Sequence, residues 1–243
     1  VLTTSATGAV NRAGISTTPV ITILDISGNA VTNSSANVSV AVTPVGSATA
    51  DLSGTASRTP TLGVVSFTGL GLNGQVGSYT LTYSSSGLAD ITQVIDLTHG
   101  EATKVSIETP AATARAGVGF GTQPVIRILD QDNNLVTTGA ASTQTVVASL
   151  TGLSSPEPVV IAGDVDITAS GGQADFTDLR LNGKVSSYTI RYAAGSLATA
   201  SQSIQLLAGD VAALKITTGP ANAVAGAGFA NDVELELVDA YEN

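Results

Sequence analysis

The 243-residue chain has no cysteine, which removes disulfides, thiol catalysis and thiolate metal sites together. It has one histidine, His99. This residue lies at a junction between repeat copies, so no serine has a histidine partner within its own copy, and a Ser-His-Asp triad is not available. His99 sits in Thr98-His99-Gly100-Glu101 and reads as a solvated linker residue. Charge is sparse: 12% of residues, with 9 Lys and Arg against 19 Asp and Glu, for a net charge of −10. The cations are scattered singly, whereas nucleic acid or an anionic membrane calls for a clustered basic face. Neither is expected as a partner. No apolar run approaches the roughly 18 residues of a membrane span, so no direct membrane insertion is expected in this segment. Aromatic residues make up only 4%, and no stretch carries a convincing 3.6-residue period.

What the chain does have is repetition. Leu72-Asn73-Gly74-Gln75-Val76-Gly77-Ser78-Tyr79-Thr80 returns as Leu181-Asn182-Gly183-Lys184-Val185-Ser186-Ser187-Tyr188-Thr189, an offset of 109. Pro19-Val20-Ile21-Thr22-Ile23-Leu24-Asp25 returns at 124–130, an offset of 105, and as Val233-Glu234-Leu235-Glu236-Leu237-Val238-Asp239 a further 109 on. A period this long excludes solenoids and indicates tandem copies of a self-contained module. The phasing gives copies at 1–99, with its first strand incomplete, at 102–207, and a partial copy at 208–243 holding two strands. The change of offset places a four-residue insertion near Ser154-Ser155-Pro156-Glu157-Pro158. The start at Val1 without Met, and a third copy that stops at Asn243, lead us to expect a piece of a longer polypeptide. Junctions near 98–102 and 208–212 are short, which favours semi-rigid beads over free tethers.

Within a copy the period is two. In Tyr188-Thr189-Ile190-Arg191-Tyr192 and Tyr79-Thr80-Leu81-Thr82-Tyr83, large apolar residues alternate with Thr or Arg, as in a strand with one buried face. Ile21, Ile23, Ile126, Ile128, Leu235 and Leu237 are expected in the core by the same alternation. The second copy reads as strands at 103–109, 124–130, 144–150, 159–161, 173–181, 187–193 and 201–207. About seven short strands with Gly, Asn and Pro between them predict an all-β chain of tandem immunoglobulin-like β-sandwiches. Asn73-Gly74 and Asn182-Gly183 fit either a two-residue hairpin or a corner between sheets, with Tyr79 and Tyr188 bonding back to the corner. The constant six-residue Asn-to-Tyr spacing favours the corner.

These motifs carry a resemblance. A Pro-Val-Ile-x-Ile-Leu-Asp strand, an Asp-x-x-x-Asn turn before Val-Thr (Asp25 to Thr32, Asp130 to Thr137), a Gly-x-x-x-Phe-Thr strand and a Gly-Ser-Tyr-Thr strand resemble the Ig-like tandem repeats of bacterial surface proteins. Those include invasin- and intimin-type adhesin stalks, surface-layer proteins and filament proteins. The resemblance implies an extracellular spacing or load-bearing role and supplies no catalytic residue.

Chemistry-bearing patterns are few. Asp164 and Asp166 are expected on one face of a strand and read as a solvated edge rather than a glycosidase acid pair. The glycines at 117, 119 and 121 lack the Lys-Ser/Thr and the helix of a phosphate loop and read as a kinked edge strand. Lys104 finds no Asn or Asp in the last strand for an internal cross-link. Asn33-Ser34-Ser35 and Asn37-Val38-Ser39 are glycosylation sequons. Asp130, Asp132 and Asn134 put oxygens at alternate positions, with Glu101 expected nearby. That hard-oxygen set is the one calcium hypothesis, weighed against a plain Asx turn, and no other cofactor is expected. Six of the nine aromatics pair off between copies at inward strand positions and Phe120 pairs with Phe229, leaving Tyr241 unassigned and arguing against exposed platforms for sugar or base. The reading that follows is non-enzymatic: a structural repeat segment of a surface, stalk or filament protein of a bacterium or archaeon. Its partners would be neighbouring repeats or other copies of the protein. The alternative is an adhesin module holding a surface glycan or protein receptor at its loops.

Overall fold

The computed structural model describes residues 1–152 and 159–243. The expected insertion near Ser154 lies outside the described residues. By contact the chain divides into two units, Val1–Thr103 with Leu129–Thr137, and Lys104–Ile128 with Thr138–Asn243.

In the first unit β1 (Leu2–Thr4), β3 (Val20–Thr22) and β7 (Val64–Ser66) form one sheet in the order β1-β3-β7. A second sheet, in the order β2-β10-β9-β4-β6, is built from β2 (Ala9–Val10), β4 (Val38–Pro44), β6 (Ser57–Arg58), β9 (Gly77–Ser84) and β10 (Ile91–Thr98). β5 (Ala50–Ser53) pairs with β8 (Gly71–Gly74). Alternation buries one face of each sheet: Ile21 and Val65 from the first, Val40, Tyr79, Leu81, Tyr83, Ile95 and Leu97 from the second, all in one core cluster with Phe67 and Leu72. Phe67 and Tyr83 meet at 5.7 Å between ring centroids. Gln93 extends the sheet with its side chain, accepting from the Ala6 amide at 2.9 Å and donating to the Ala6 carbonyl at 3.0 Å. That ties the irregular stretch between β1 and β2 to β10, which β2 joins in parallel.

The second unit has the same order. β11 (Lys104–Thr109), β13 (Val125–Leu129) and β17 (Gln173–Asp175) run β11-β13-β17. β12 (Ala114–Arg115), β14 (Thr145–Thr151), β16 (Asp166–Thr168), β19 (Ser186–Ala193) and β20 (Ala200–Leu207) run β12-β20-β19-β14-β16, and β15 (Val160–Ala162) pairs with β18 (Arg180–Asn182). Gln202 bonds Ala111 as Gln93 bonds Ala6, at 2.9 Å both ways. Tyr188, Ile190 and Tyr192 are buried as expected. Both units are β-sandwiches of immunoglobulin type.

The strand count differs from the expected seven. The stretch 173–181 is two strands, because Thr177 and Asp178 bend the chain out of the first sheet into the pairing with β15. β12 and β16, of two and three residues, are too short for periodicity to reveal. The glycine stretch at 117–121 is a turn after β12, not an edge strand, with Gly117 at φ +79. Among the described residues the only helical turn is the 3-10 segment Ala140–Thr143.

β21 (Val211–Thr218) and β22 (Glu234–Asp239) form an antiparallel pair in which Leu214 faces Leu237 and Ile216 faces Leu235. Alternation assigns Leu235 and Leu237 to a core-facing side, and the registry puts them on one face with Leu214 and Ile216. They are exposed, Leu235 by 57% and Leu237 by 65%, as is Phe229, and among the described residues β21 and β22 form a two-stranded sheet by themselves.

The Asn-Gly pairs are corners. β8 and β9 belong to different sheets, and the Tyr79 hydroxyl donates to the Gln75 carbonyl at 2.7 Å. Tyr188 donates to the Lys184 carbonyl at the same distance. A Cβ on Gly74 would overlap the Thr49 carbonyl and Ala50, so glycine is required there by space. Replacing Tyr79 or Tyr188 with Phe is expected to cost about 1 kcal/mol each in chemical denaturation. Tyr83→Phe should cost less, since its hydroxyl reaches Gln93 only at 3.3 Å; equal losses at all three positions would deny the corner bond its role.

Candidate functional site

The densest polar constellation is the turn after β13. Asp130 and Asn134 close it: the Asp130 amide donates to the Asn134 carbonyl at 3.0 Å, and Asp130 Oδ1 accepts from the amides of Asp132 and Asn134 at 2.9 Å. Asn133 takes φ +66, a left-handed conformation that Asn tolerates. So far this is an Asx turn, which any such sequence would form alone.

The outward half of the turn does more. By contact the turn lies in the first unit, and there Asp130 Oδ2 accepts from the Gly100 amide, Asn11 Nδ2 and Asn134 Nδ2, each at 2.9 Å. Asn134 Nδ2 also donates to the Gly74 carbonyl at 2.9 Å, while its Oδ1 accepts from the Val76 amide at 2.8 Å. Asn11 Oδ1 accepts from the Gly74 amide at 2.8 Å. Asp130 and Asn134 are buried, Asp130 with 1% exposure. Burial opposes ionisation of Asp130, but the hydrogen bonds from Asn134, Gly100 and Asn11 outweigh it and hold the carboxyl below its usual range. Gly100 is needed because a Cβ would press on the Asn11 carbonyl.

The arrangement recurs at the end of β22, within the second unit. Asp239 Oδ1 accepts from the amides of Tyr241 and Asn243 at 2.8 and 3.0 Å, and its Oδ2 from the Gly209 amide at 2.7 Å and Asn243 Nδ2 at 2.9 Å. Asn243 donates to the Gly183 carbonyl at 3.0 Å and accepts from the Val185 amide at 2.8 Å. A Cβ on Gly209 would overlap the Ala116 carbonyl. Burial again opposes ionisation of Asp239, and the bonds from Asn243, Gly209 and Tyr241 hold its carboxyl down to about 2. The lining alone differs: Ala116 stands where Asn11 stood, and Tyr241, against Gly117, where Asp132 stood. Tyr241 is thereby placed.

Of the four calcium candidates, Asp130, Asp132 and Asn134 come together and Glu101 points to solvent. The oxygens they offer face N–H donors. Asp132 is held by Asn11 Nδ2 at 2.8 Å and by Arg12 through Nε at 2.6 Å and Nη2 at 2.8 Å. A bidentate guanidinium and an amide cage engage these carboxylate oxygens as hydrogen-bond acceptors and put a cation at the place a metal would take. Among the described residues no three His, Cys, Asp or Glu side chains gather as metal ligands. His99 is half-buried, its Nδ1 2.9 Å from the Gly100 carbonyl, rather than fully solvated. Asp166 opens β16 while Asp164 lies in the loop before it, taking the Thr177 hydroxyl at 3.2 Å; the two do not share a strand face. Sequence reasoning missed Asn11, Gly100, Gly209 and the corner amides of Val76 and Val185. Gly100 and Gly209 stand one period apart, and that recurrence was the available signal.

No protein-family model matches the chain, and no curated protein matches it. Solved structures do. The adhesin FdeC of Escherichia coli is 17% identical over 85% of this chain and 64% of its own, with a TM-score of 0.42. The adhesin InvE of Yersinia pseudotuberculosis is 15% identical over 90% of this chain and 65% of its own, at 0.35. A beta-glycosidase from Bacteroides vulgatus is 11% identical over 70% of this chain and 21% of its own, also at 0.35. The chain thus spans less than two thirds of each of these proteins. At such identities and scores a likeness says nothing about what is bound or catalysed.

Two outcomes are expected. The folded-state carboxyls of Asp130 and Asp239 lie below the ordinary 3.8, so the stability they contribute is present above about pH 4 and is lost as pH falls below it, for Asp239 as pH approaches about 2. Melting temperature should drop across that window, and the drop should shrink in the Asp130→Asn, Asp239→Asn chain. Melting at neutral pH should be indifferent to a chelator; a clear loss on chelation would restore calcium to Asp130 and Asp132.

Proposed function

We propose that the chain is a structural segment of a prokaryotic extracellular surface, stalk or filament protein. Residues 1–99, 102–207 and 208–243 are its successive copies, the last a partial one, and their role is spacing rather than chemistry. The observation that carries the reading is the recurrence, one period apart, of the hydrogen bonds around Asp130–Asn134 and Asp239–Asn243. What the repeat preserves is the hydrogen bonding of each Asp-to-Asn turn to a junction glycine and a tyrosine corner, while the loops differ in length and composition. Composition agrees: neither half contributes a cysteine, a basic patch or a catalytic histidine pair.

Single-molecule stretching tests it. Full unfolding of a module of about 105 residues releases at most roughly 350–380 Å of chain. A spacing element should give two such events of similar size at similar force, and no saturable binding on glycan arrays. A single merged event would break the modular reading. Micromolar binding to one glycan class, abolished by loop substitutions, would favour an adhesin module.

A further inference from the structure

The turn Asp25–Asn29 has the inner half of the same device. Asp25 Oδ1 accepts from the amides of Ser27 and Asn29 at 2.9 and 2.8 Å, its Oδ2 from Asn29 Nδ2 at 3.1 Å, and the Asp25 amide donates to the Asn29 carbonyl at 2.9 Å. Gly28 takes φ +84, as Asn133 takes +66 and Glu242 +60 at the same place in their turns. The backbone and both capping side chains are therefore set as in the two occupied turns. Yet Asp25 and Asn29 are exposed where Asp130 and Asp239 are buried.

In the other two turns the outward groups take the same partners: a glycine amide (Gly100 or Gly209) on the Asp, and a Gly carbonyl with a Val amide, two residues apart in a tyrosine corner, on the Asn. We infer that the Asp25–Asn29 turn is a docking site for the tyrosine corner and junction glycine of another copy of this repeat, placed before it. The occupant is specified by chemistry: an Asn-Gly-x-Val corner supplying one carbonyl and one N–H, and a glycine N–H free of a Cβ. Both corners of this chain already hold a turn, so the site is fitted for a further module and not for a second molecule of this segment. The inference deepens the structural-repeat reading and rests on it.

The test duplicates residues 1–105 in front of the full chain, which keeps the 105-residue period. Amide hydrogen exchange is then followed at Gly100 and Val76 of the added copy. Both should be protected, and Asp25→Ala with Asn29→Ala should speed their exchange at least tenfold, leaving the original Gly100 and Val76, which answer to Asp130 and Asn134, unchanged. A second fusion, duplicating 102–214, must behave alike at the added Gly209 and Val185. Exchange that ignores the double substitution in both fusions overturns the inference. A glycan receptor found for the chain would instead overturn the spacing role and leave this result standing.

Discussion

A buried carboxylate is tolerated only when hydrogen bonds replace its water, and the structure around Asp130 and Asp239 is organised by that requirement. Both carboxylates draw bonds from three shared sources, namely the turn's own amides, the Asn four residues on and a glycine amide in the junction, and Asp130 takes one more from Asn11 Nδ2. The glycine must lack a Cβ so that the chain can pass close to the Asn11 or Ala116 carbonyl. Once the charge is so placed, Leu129–Thr137 is bound into the first unit although its sequence belongs to the second copy. The covalent repeat and the contact unit are therefore out of phase by one turn.

The tyrosine corner is the other half of the same arrangement. Leaving β8 for β9, the chain abandons one ladder before it enters the next, and the peptide groups of residues 74–76 need partners elsewhere. Tyr79 takes the Gln75 carbonyl, Asn134 takes the Gly74 carbonyl and the Val76 amide, and the Gln75 amide reaches the Thr49 carbonyl at 2.8 Å. Tyr188 and Asn243 divide the work in the same way around Lys184. The corner is thus satisfied partly by its own sandwich and partly by the turn that follows it.

Comparing the two turns separates what is required from what is replaceable. Asp, Asn and Gly persist at 130, 134 and 100 and at 239, 243 and 209. The flanking pair changes from Asn11 with Asp132, polar and tied to Arg12, to Ala116 with Tyr241. Asn11 and Arg12, which donate to Asp132, are replaced together with it, by Ala116, Gly117 and Tyr241. Of the alternating carboxylates that suggest calcium in the second copy, Asp130 belongs to the persistent set and Asp132 to this exchangeable lining.

Much of the fold was legible in the sequence. The period-two burial of Tyr79, Leu81 and Tyr83 follows from strand geometry, as do the sandwich class and the spacing of Asn73 and Asn182 to their tyrosines. The Asx turn at Asp130 was legible too, because its bonds are local. Only the tertiary structure decided that 173–181 is two strands, since the break lies in sheet exchange and not in hydrophobicity. It alone joined Asp130 to Gly100 and Asn134 to Val76, residues 30 and 58 positions apart. A sequence specifies which face of an element seeks burial; which other segment arrives to satisfy a buried charge or an open peptide group depends on long-range geometry that no local pattern encodes.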